Sequence, residues 1–477
     1  MGDNVKKSLW DDVDYNELDP LKENVETDVL IIGGGIAGIS TAYHLIDSGK
    51  RVTLIDRDVC GRGVSLYTTG KLTFLQKLIY HKLEFYHGFE KARDYLFATK
   101  KIINEVSEII NENDIDCDYE EVPSYVVSNK NEDVLSFNDE IEFLKKCNID
   151  AELFLETPYG ENKFTLKVNE GAVFHPFKYI NSLKGICLDK GINIYEKTVA
   201  KKMRRVSNKV IIETDRANVT AENVIMACHF PFVNFPGFYF MRMHLERSYV
   251  DVSKRNGNFS LITADSPITS IRFHKDNLIF GGSGHILSKK YSYLKRFNSL
   301  KEKREEIFPG TSVMAWSTHD CITQDGLPYI GRFDGYSNVY VATGFNKWGM
   351  TNGSIAGKII SDLITKNESE FQHVFNPRRK IRIKNFLKDM GNSISNYFTH
   401  SKKKELIKIN EGGITKEHLG VFKDAEGEHF VRTKCPHLGC ELFFNDTDKT
   451  WDCSCHGSRF NIHGQVIQGP STRDISL

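Results

Sequence analysis

Four cysteines and two histidines are concentrated near the end of the chain, as Cys435-Pro-His437-Leu-Gly-Cys440 and Cys453-Ser-Cys455-His456. Each loop contributes a cysteine and a histidine at short spacing, C-x-H in the first and C-x-x-H in the second. Zinc accepts such a mixture of thiolates and imidazoles. So does a two-iron cluster in which one iron takes two thiolates and the other two imidazoles. A second such stretch lies near the start, where the apolar run 29–32, after Asp28, enters a G-x-G-x-x-G turn made by Gly33, Gly35 and Gly38. That pattern holds a dinucleotide. Gly33 permits the tight bend, Gly35 lets backbone approach a pyrophosphate, and Gly38 lets the following helix pack on the strand. The N–H groups of Ile36 and Ala37, at the helix N-terminus, face the phosphate.

These residues need particular elements to position them. Residues 36–46 read as a helix ended by Gly49, and residues 51–55 as a second apolar strand closed by Asp56, about twenty residues beyond the glycines, where an acid binds a ribose hydroxyl. The glycine- and threonine-rich loop 61–73 reads either as a wrap around a flat cofactor or as ordinary surface. Residues 87–113 carry helical apolar periodicity. The runs 209–212 and 223–227 read as strands, the latter in the dinucleotide sheet. A second, antiparallel sheet is expected from 248–252, 278–280 and 311–316. Gly281, Gly282 and Gly284 make no second dinucleotide fingerprint, because the third glycine and an apolar helix are missing. Residues 325–331 read as turn. A strand at 339–343, the glycine loop 344–353 and a helix at 354–364 aim another helix N-terminus at a cofactor.

Length and charge bound the rest. The 477 residues allow two to four domains, and 63 basic against 63 acidic side chains leave no overall field toward nucleic acid or acidic lipid. No membrane span is expected, since no stretch of eighteen apolar residues occurs. Residues 1–27 are polar and acidic, unlike a signal peptide, and read as an arm whose Trp10 and Leu18 dock on the first domain or stay disordered. Six scattered cysteines read as reduced core thiols, which fits a cytoplasmic protein. The basic run 377–384, a helix at 386–397 and Lys402 to Lys404 read as a solvated linker, with a nucleic-acid or lipid patch as the other reading.

The C-terminal loops, with Gly464, Gly469 and Pro470 downstream, resemble the two cluster-binding loops of Rieske proteins. The resemblance implies that Cys435 and Cys453 ligate one iron, His437 and His456 the other, and that Cys440 and Cys455 form a disulfide tying the loops together. Rieske clusters have potentials of roughly −150 to +300 mV, so this one would accept electrons readily. Such domains usually continue a little beyond the equivalent of Ile475, so a missing or short last strand is expected.

On Gly33 to Gly38, Asp56 and the loops 68–73, 325–331 and 344–353, residues 28 to about 370 resemble the D-amino-acid-oxidase-like FAD oxidoreductases, which include glycine and sarcosine oxidases. The whole chain resembles the branch with a C-terminal Rieske domain. The implied fold is α/β: a Rossmann-like FAD-binding domain (about 28–80, 165–230 and 320–372) interleaved with an α+β antiparallel-sheet substrate domain (about 81–164 and 231–319). A linker at 373–405 and a small all-β Rieske domain at 406–477 follow. Noncovalent FAD is implied, with adenosine near Asp56 and Arg57, adenine near Val199 and Ala200, and the flavin ring between Thr69, Lys71 and their loop on one side and Trp348, Gly349, Met350 and Thr351 on the other. The substrate is a small amine or amino acid. Arg272 is the candidate for a substrate carboxylate, and His285 and Lys347 for positions over the flavin. Two functions remain: an amine dehydrogenase feeding its own cluster and a redox acceptor, or an electron-transfer protein relaying between carriers. A Rieske oxygenase is disfavoured, because no two-His, one-carboxylate iron site is evident.

Overall fold

A computed structural model describes residues 8–157, 160–233, 235–264, 266–287, 292–380, 401 and 403–477. The expected helix at 386–397, residues 381–384 of the basic run before it and Lys402 lie outside the described residues. The dinucleotide sheet has eight strands. Val25–Ile32 lies at its centre, parallel to Val52–Ile55 on one side and to Asn218–Met226 on the other. Asn193–Tyr195 extends one edge, and Val339–Thr343 pairs parallel with Asn218–Met226. Parallel strands buried on both faces read as continuous apolar runs. Val52–Ile55, polar only at Thr53, is buried throughout.

The second sheet, also eight-stranded, is mostly antiparallel. Met243–Lys254 pairs with Asn277–Ile286 and with Ser312–Thr323. Ser124–Ser128, Gly160–Val168 and Ala151–Thr157 complete it beyond Ser260–Thr263. The two units interleave along the chain. Phe89–Glu112 falls within the range expected for the substrate unit, yet Tyr95, Leu96, Ile102 and Val106 enter the same core as Ile36 and Ile39 of the glycine-loop helix and Ile359 of the Gly349–Thr365 helix. The same core takes in Val126, Phe143 and Leu166 of the second unit, so this helix packs between the two.

Two expectations change. Residues 325–331 are not all turn, since Tyr329–Arg332 pairs antiparallel with Val339–Thr343. Nor is the linker free from 373: Val374 and Phe375 are fully buried, and the Arg379 guanidinium grips Asp325 through two nitrogens at 2.5 and 2.8 Å. The N-terminal arm is docked. Trp10 is fully buried, its indole N–H donating to the Thr68 carbonyl at 2.7 Å, while the Leu18 and Leu21 amides donate to Glu196 and Thr198.

The C-terminal unit consists of two antiparallel sheets, Gly412–Ile414, Leu419–Lys423 and Glu428–Arg432 in one, and Leu442–Asn445, Thr450–Cys453, Arg459–Phe460 and Val466–Gln468 in the other. Beyond Val466–Gln468, Ile475 is buried and Ser476 makes an isolated bridge to Val431. Among the described residues, no helix is long and apolar enough to cross a membrane.

Candidate functional site

A cavity of about 1100 Å³ runs between the two large sheets. Gly33, Gly35, Ile36 and Ala37 line one end, with Asp56 and Arg57 from the end of the second strand and Val199 and Ala200 beside them. The glycine-loop helix Ile36–His44 starts at Gly35 with no cap from that residue and no acid in its first turn; the Ile36 amide donates to Ser65 Oγ at 3.1 Å, and Gly35, Ile36 and Ala37 border the cavity. The glycines fit this role sterically. At Gly33 a Cβ would lie 2.6 Å from the Ala227 carbonyl oxygen, with φ at +107°, and at Gly38 only 1.8 Å from the Gly33 carbonyl oxygen. Gly38 does not line the cavity; it lets the helix close onto the turn. The Asp56 carboxylate accepts the Gly34 and Asp58 amides, and burial pushes its pKa up to about 6.

The opposite wall is made by Thr69 and Lys71, by Asn346, Lys347, Trp348, Gly349 and Met350, and by the second sheet. The Gly349–Thr365 helix also begins without a side-chain cap or an acid in its first turn. Its Gly353 and Gly357 lie against Ile36 and Ser40, where a Cβ would come within 2.6 and 2.2 Å. Two helices can therefore converge with both N-termini turned to the cavity. Thr351, in the first turn of that helix, is fully buried, and its Oγ1 has no hydrogen-bond partner among the described residues.

Arg272 is also corrected. Its Nη1 donates to the carbonyls of Thr69, Gly70 and Phe174, its Nε to that of Phe273, and its guanidinium lies over Trp10. Burial lowers its pKa to about 9. It braces the backbone of the loop that carries Thr69 and Lys71, and it offers no fork to a substrate carboxylate. Lys71 is held likewise, its Nζ donating to the Leu261 carbonyl and Ser270 Oγ at 2.7 and 2.8 Å.

His285 and Lys347 do line the cavity. Burial lowers His285 to about 4, so it is neutral. Its Nδ1–H donates to the Ile286 carbonyl, leaving Nε2 to accept from the Tyr249 hydroxyl at 2.9 Å. Lys347 Nζ sits 2.7 Å from Glu246 Oε2. Burial alone would raise Glu246, but the His244 hydrogen bond and the Lys347 charge win and hold it down to about 2. Glu246 and Asp320 are cross-strand partners, and burial pushes Asp320 up to about 6 against the pull of Lys347. Glu246, Asp320 and His319 all line the cavity and were not singled out from the sequence. Alternation along 244–252 and 312–323 was the signal available, but which face meets a ligand depends on the partner layer.

In the C-terminal unit the two cysteine–histidine loops meet. Cys440 and Cys455 are disulfide-bonded. The Sγ atoms of Cys440, Cys453 and Cys455 lie within 4.8 Å of one another, and the disulfide leaves only Cys453 of these three able to offer a thiolate. Cys435 and Cys453 are both buried and in thiol–thiol contact, which together with burial drives Cys435 up. The His437 and His456 rings lie 4.9 Å apart at 85°. Burial lowers them to about 4 and about 3, which favours the neutral imidazole that ligates metal. His456 Nδ1 is buried without a hydrogen-bond partner, as expected of a nitrogen reserved for iron. Two thiols and two imidazoles around a disulfide-tied pair of loops fit a [2Fe-2S] cluster with mixed ligation.

This unit is docked on the second sheet. Arg247, fully buried on Met243–Lys254, pairs with Asp448 and, at 3.3 Å, with Asp452, next to Cys453. Phe240 lies edge-on to both His437 and His456, with ring centroids 6.0 and 5.6 Å away.

A dinucleotide cavity facing an antiparallel sheet, joined to a mixed-ligand iron–sulfur fold, defines a flavin-dependent oxidoreductase fused to a Rieske domain. Residues 28–363 match the DAO model for FAD dependent oxidoreductases, and residues 401–476 match the Rieske [2Fe-2S] domain. The chain belongs to the DAO family of FAD dependent oxidoreductases and carries a C-terminal Rieske domain; its cofactors are FAD and a [2Fe-2S] cluster. It is 33% identical to Bacillus subtilis (strain 168) YhfW, which is named as a Rieske 2Fe-2S iron-sulfur protein, over 97% of this chain and 95% of that one. It is 23% identical to the gamma-glutamylputrescine oxidoreductase of Escherichia coli (strain K12), over 75% of this chain and 88% of that one. Glycine oxidase from Geobacillus kaustophilus shares the fold, with a TM-score of 0.63 and 17% identity over 75% of this chain and all (100%) of that one.

Proposed function

We propose that the chain oxidises an amine or amino acid at its flavin and passes the electrons singly to its own Rieske cluster. One observation carries this reading: Asp448, Thr450 and Arg459, from the strands around Cys453, line the same cavity as Gly35, Lys71 and Lys347. Relatives named for γ-glutamylputrescine and for glycine support a small amino compound as substrate. Gly33, Gly35, Ile36 and Ala37 hold the pyrophosphate, Asp56 the ribose, and Val199 and Ala200 the adenine. Thr69, Lys71, Trp348, Gly349 and Met350 hold the ring. Cys435 and Cys453 hold one iron, His437 and His456 the other. When bound, FAD accepts hydride from the carbon next to nitrogen, and the cluster carries single electrons.

The residues in the cavity supply the proton chemistry. A protonated amine has no free lone pair to push out hydride, so a proton must leave first. Asp320, raised to about 6, is ionised at neutral pH and basic enough to take that proton. Lys347 stays paired to Glu246, and His285 stays neutral against Tyr249, so both shape the wall without competing for the proton.

Anaerobic stopped-flow mixing with a set of amines, following flavin and cluster absorbance separately, tests the proposal. The flavin should bleach first, and the cluster should follow at a rate independent of protein concentration, as tethering requires. A reduced flavin beside a cluster that stays oxidised over many turnovers would end the relay. Failure of every amine, with reduction by one-electron carriers alone, would mark an exchange protein instead.

A further inference from the structure

We propose that the Rieske domain is also a wall of the flavin-binding site, latched there through Arg247, and that FAD is retained because this wall is closed. The inference rests on FAD occupying the large cavity and does not depend on which substrate is oxidised.

The latch is a buried charge cluster shared by the two units. On the oxidoreductase side, Arg247 donates to Ser317 Oγ through Nε and Nη2 at 3.1 and 2.6 Å, and its Nη1 donates to His319 Nε2 at 3.1 Å. The same guanidinium reaches Asp448 and Asp452 of the Rieske domain. Arg459 binds those carboxylates from within the Rieske domain, at 2.6 Å to Asp448 and 3.2 Å to Asp452. Asn445 and Thr450 donate to Asp452 at 3.0 and 2.7 Å. Two arginines against two aspartates leave no charge unmatched while the units stay together. Parting them would strip Arg247 of both its carboxylates and leave Arg459 alone against Asp448 and Asp452.

Apolar contacts surround the latch. Tyr293 stacks on Phe443, with centroids 6.0 Å apart. Gly457 lies so close to Leu245 that a Cβ would come within 2.1 Å of it.

The docked wall then runs along the cleft. Asp448, Thr450 and Arg459 line the cavity at the latch, and Ile467, Gln468 and Gly469 line it farther along. A Cβ added at Gly469 would lie 3.9 Å from the Phe230 carbonyl oxygen, and Arg57, expected at the adenosine, feels the charge of Asp474. The wall therefore reaches from Arg459, whose charge acts on Tyr67 at the cavity edge, to Asp474 near Arg57. FAD bound between the helix N-termini is covered by a domain held by its own contacts, so leaving requires that domain to lift.

Flavin release measures this directly, with no amine present. Holoprotein is diluted and free FAD is followed by its fluorescence, while cluster content is checked by the Rieske electron paramagnetic resonance signal. Arg247→Met removes the latch, and Tyr293→Leu removes the neighbouring stack. Neither side chain lines the cavity. Both variants should keep the cluster signal and release FAD about tenfold faster or more, the scale expected on losing a buried partner. If Arg247→Met does not fold, Tyr293→Leu decides by the same reading. Release at the unmutated rate from a folded variant with a full cluster signal overturns the wall, even if amines still reduce the flavin. Faster release in a protein that no amine reduces upholds the wall and rejects the proposed substrate class.

Discussion

Asp320 carries the most direct pH signature in the cavity. Its folded-state pKa is raised from 3.8 to about 6, chiefly by burial. A carboxyl raised in this way favours the folded state below 3.8, and that contribution is lost as pH rises through about 6. The chemistry runs the other way, because only the ionised form can take the proton of an amine. Flavin reduction by amine should therefore slow as pH falls through about 6. Asp320→Asn should abolish that limb and slow reduction by about 10²-fold, the low end for a positioned acid or base. At neutral pH the same substitution should leave stability unchanged or higher, since it removes a charge that burial disfavours. Anaerobic flavin reduction across pH, paired with thermal melts, checks both halves. A slow variant that is also less stable would point to a structural role. Glu246 has the opposite sign: held down to about 2, its contribution is present above 4.5 and is lost only in strong acid.

At the scale of elements, cofactor binding depends on two helices meeting closely. The pattern Gly353-x-x-x-Gly357 brings the Gly349–Thr365 helix onto the Ile36–His44 helix at Ile36 and Ser40. At Gly357 an added Cβ would meet the Ser40 hydroxyl at 2.2 Å and its backbone carbon at 2.7 Å, and backbone cannot swing aside. Gly357→Leu should destabilise the fold by about 1–3 kcal/mol, the usual cost of overpacking. Because the splayed helices no longer aim both N-termini at one ligand, the purified variant should also be depleted of flavin. Urea titration and the ratio of flavin to protein absorbance measure the two effects. Full flavin content in a destabilised Gly357→Leu would detach the helix contact from the cofactor site. The spacing was readable in the sequence, but a small-residue pair identifies its partner helix only after the chain has folded.

For the whole molecule, the N-terminal arm and the Rieske domain bring distant segments against the cavity. Trp10 packs edge-on to His175 and His274, each 5.0 Å away, and under Arg272, whose Nη1 holds the Thr69 and Gly70 carbonyls. The arm thus supports the loop that carries Thr69 and Lys71 from outside the sheet. Trp10→Ala should cost about 3–5 kcal/mol, as for a buried aromatic in a core. A lowered melting temperature with partial flavin loss is expected. An unchanged melt would show that the arm is dispensable.

Local chemistry was legible in the sequence because it is written in short spacings. G-x-G-x-x-G, an acid at the end of the next strand, and paired Cys–His loops require particular atoms within a few residues, so they survive translation from sequence to structure almost intact. The family, both cofactors and the Cys440–Cys455 disulfide followed from those motifs and the resemblance they support. Arg272 was misplaced for the complementary reason: an arginine facing a substrate and one bracing backbone carbonyls look alike until the neighbouring strands are in position. Glu246 and Asp320 meet only through strand register, which pairs residues 74 positions apart. Arg247 reaches Asp448 and Asp452 across some two hundred residues (201 and 205). No local pattern marks such partners, because burial and charge matching are properties of packed surfaces, and only the tertiary structure decided that the Rieske domain closes over the flavin cavity.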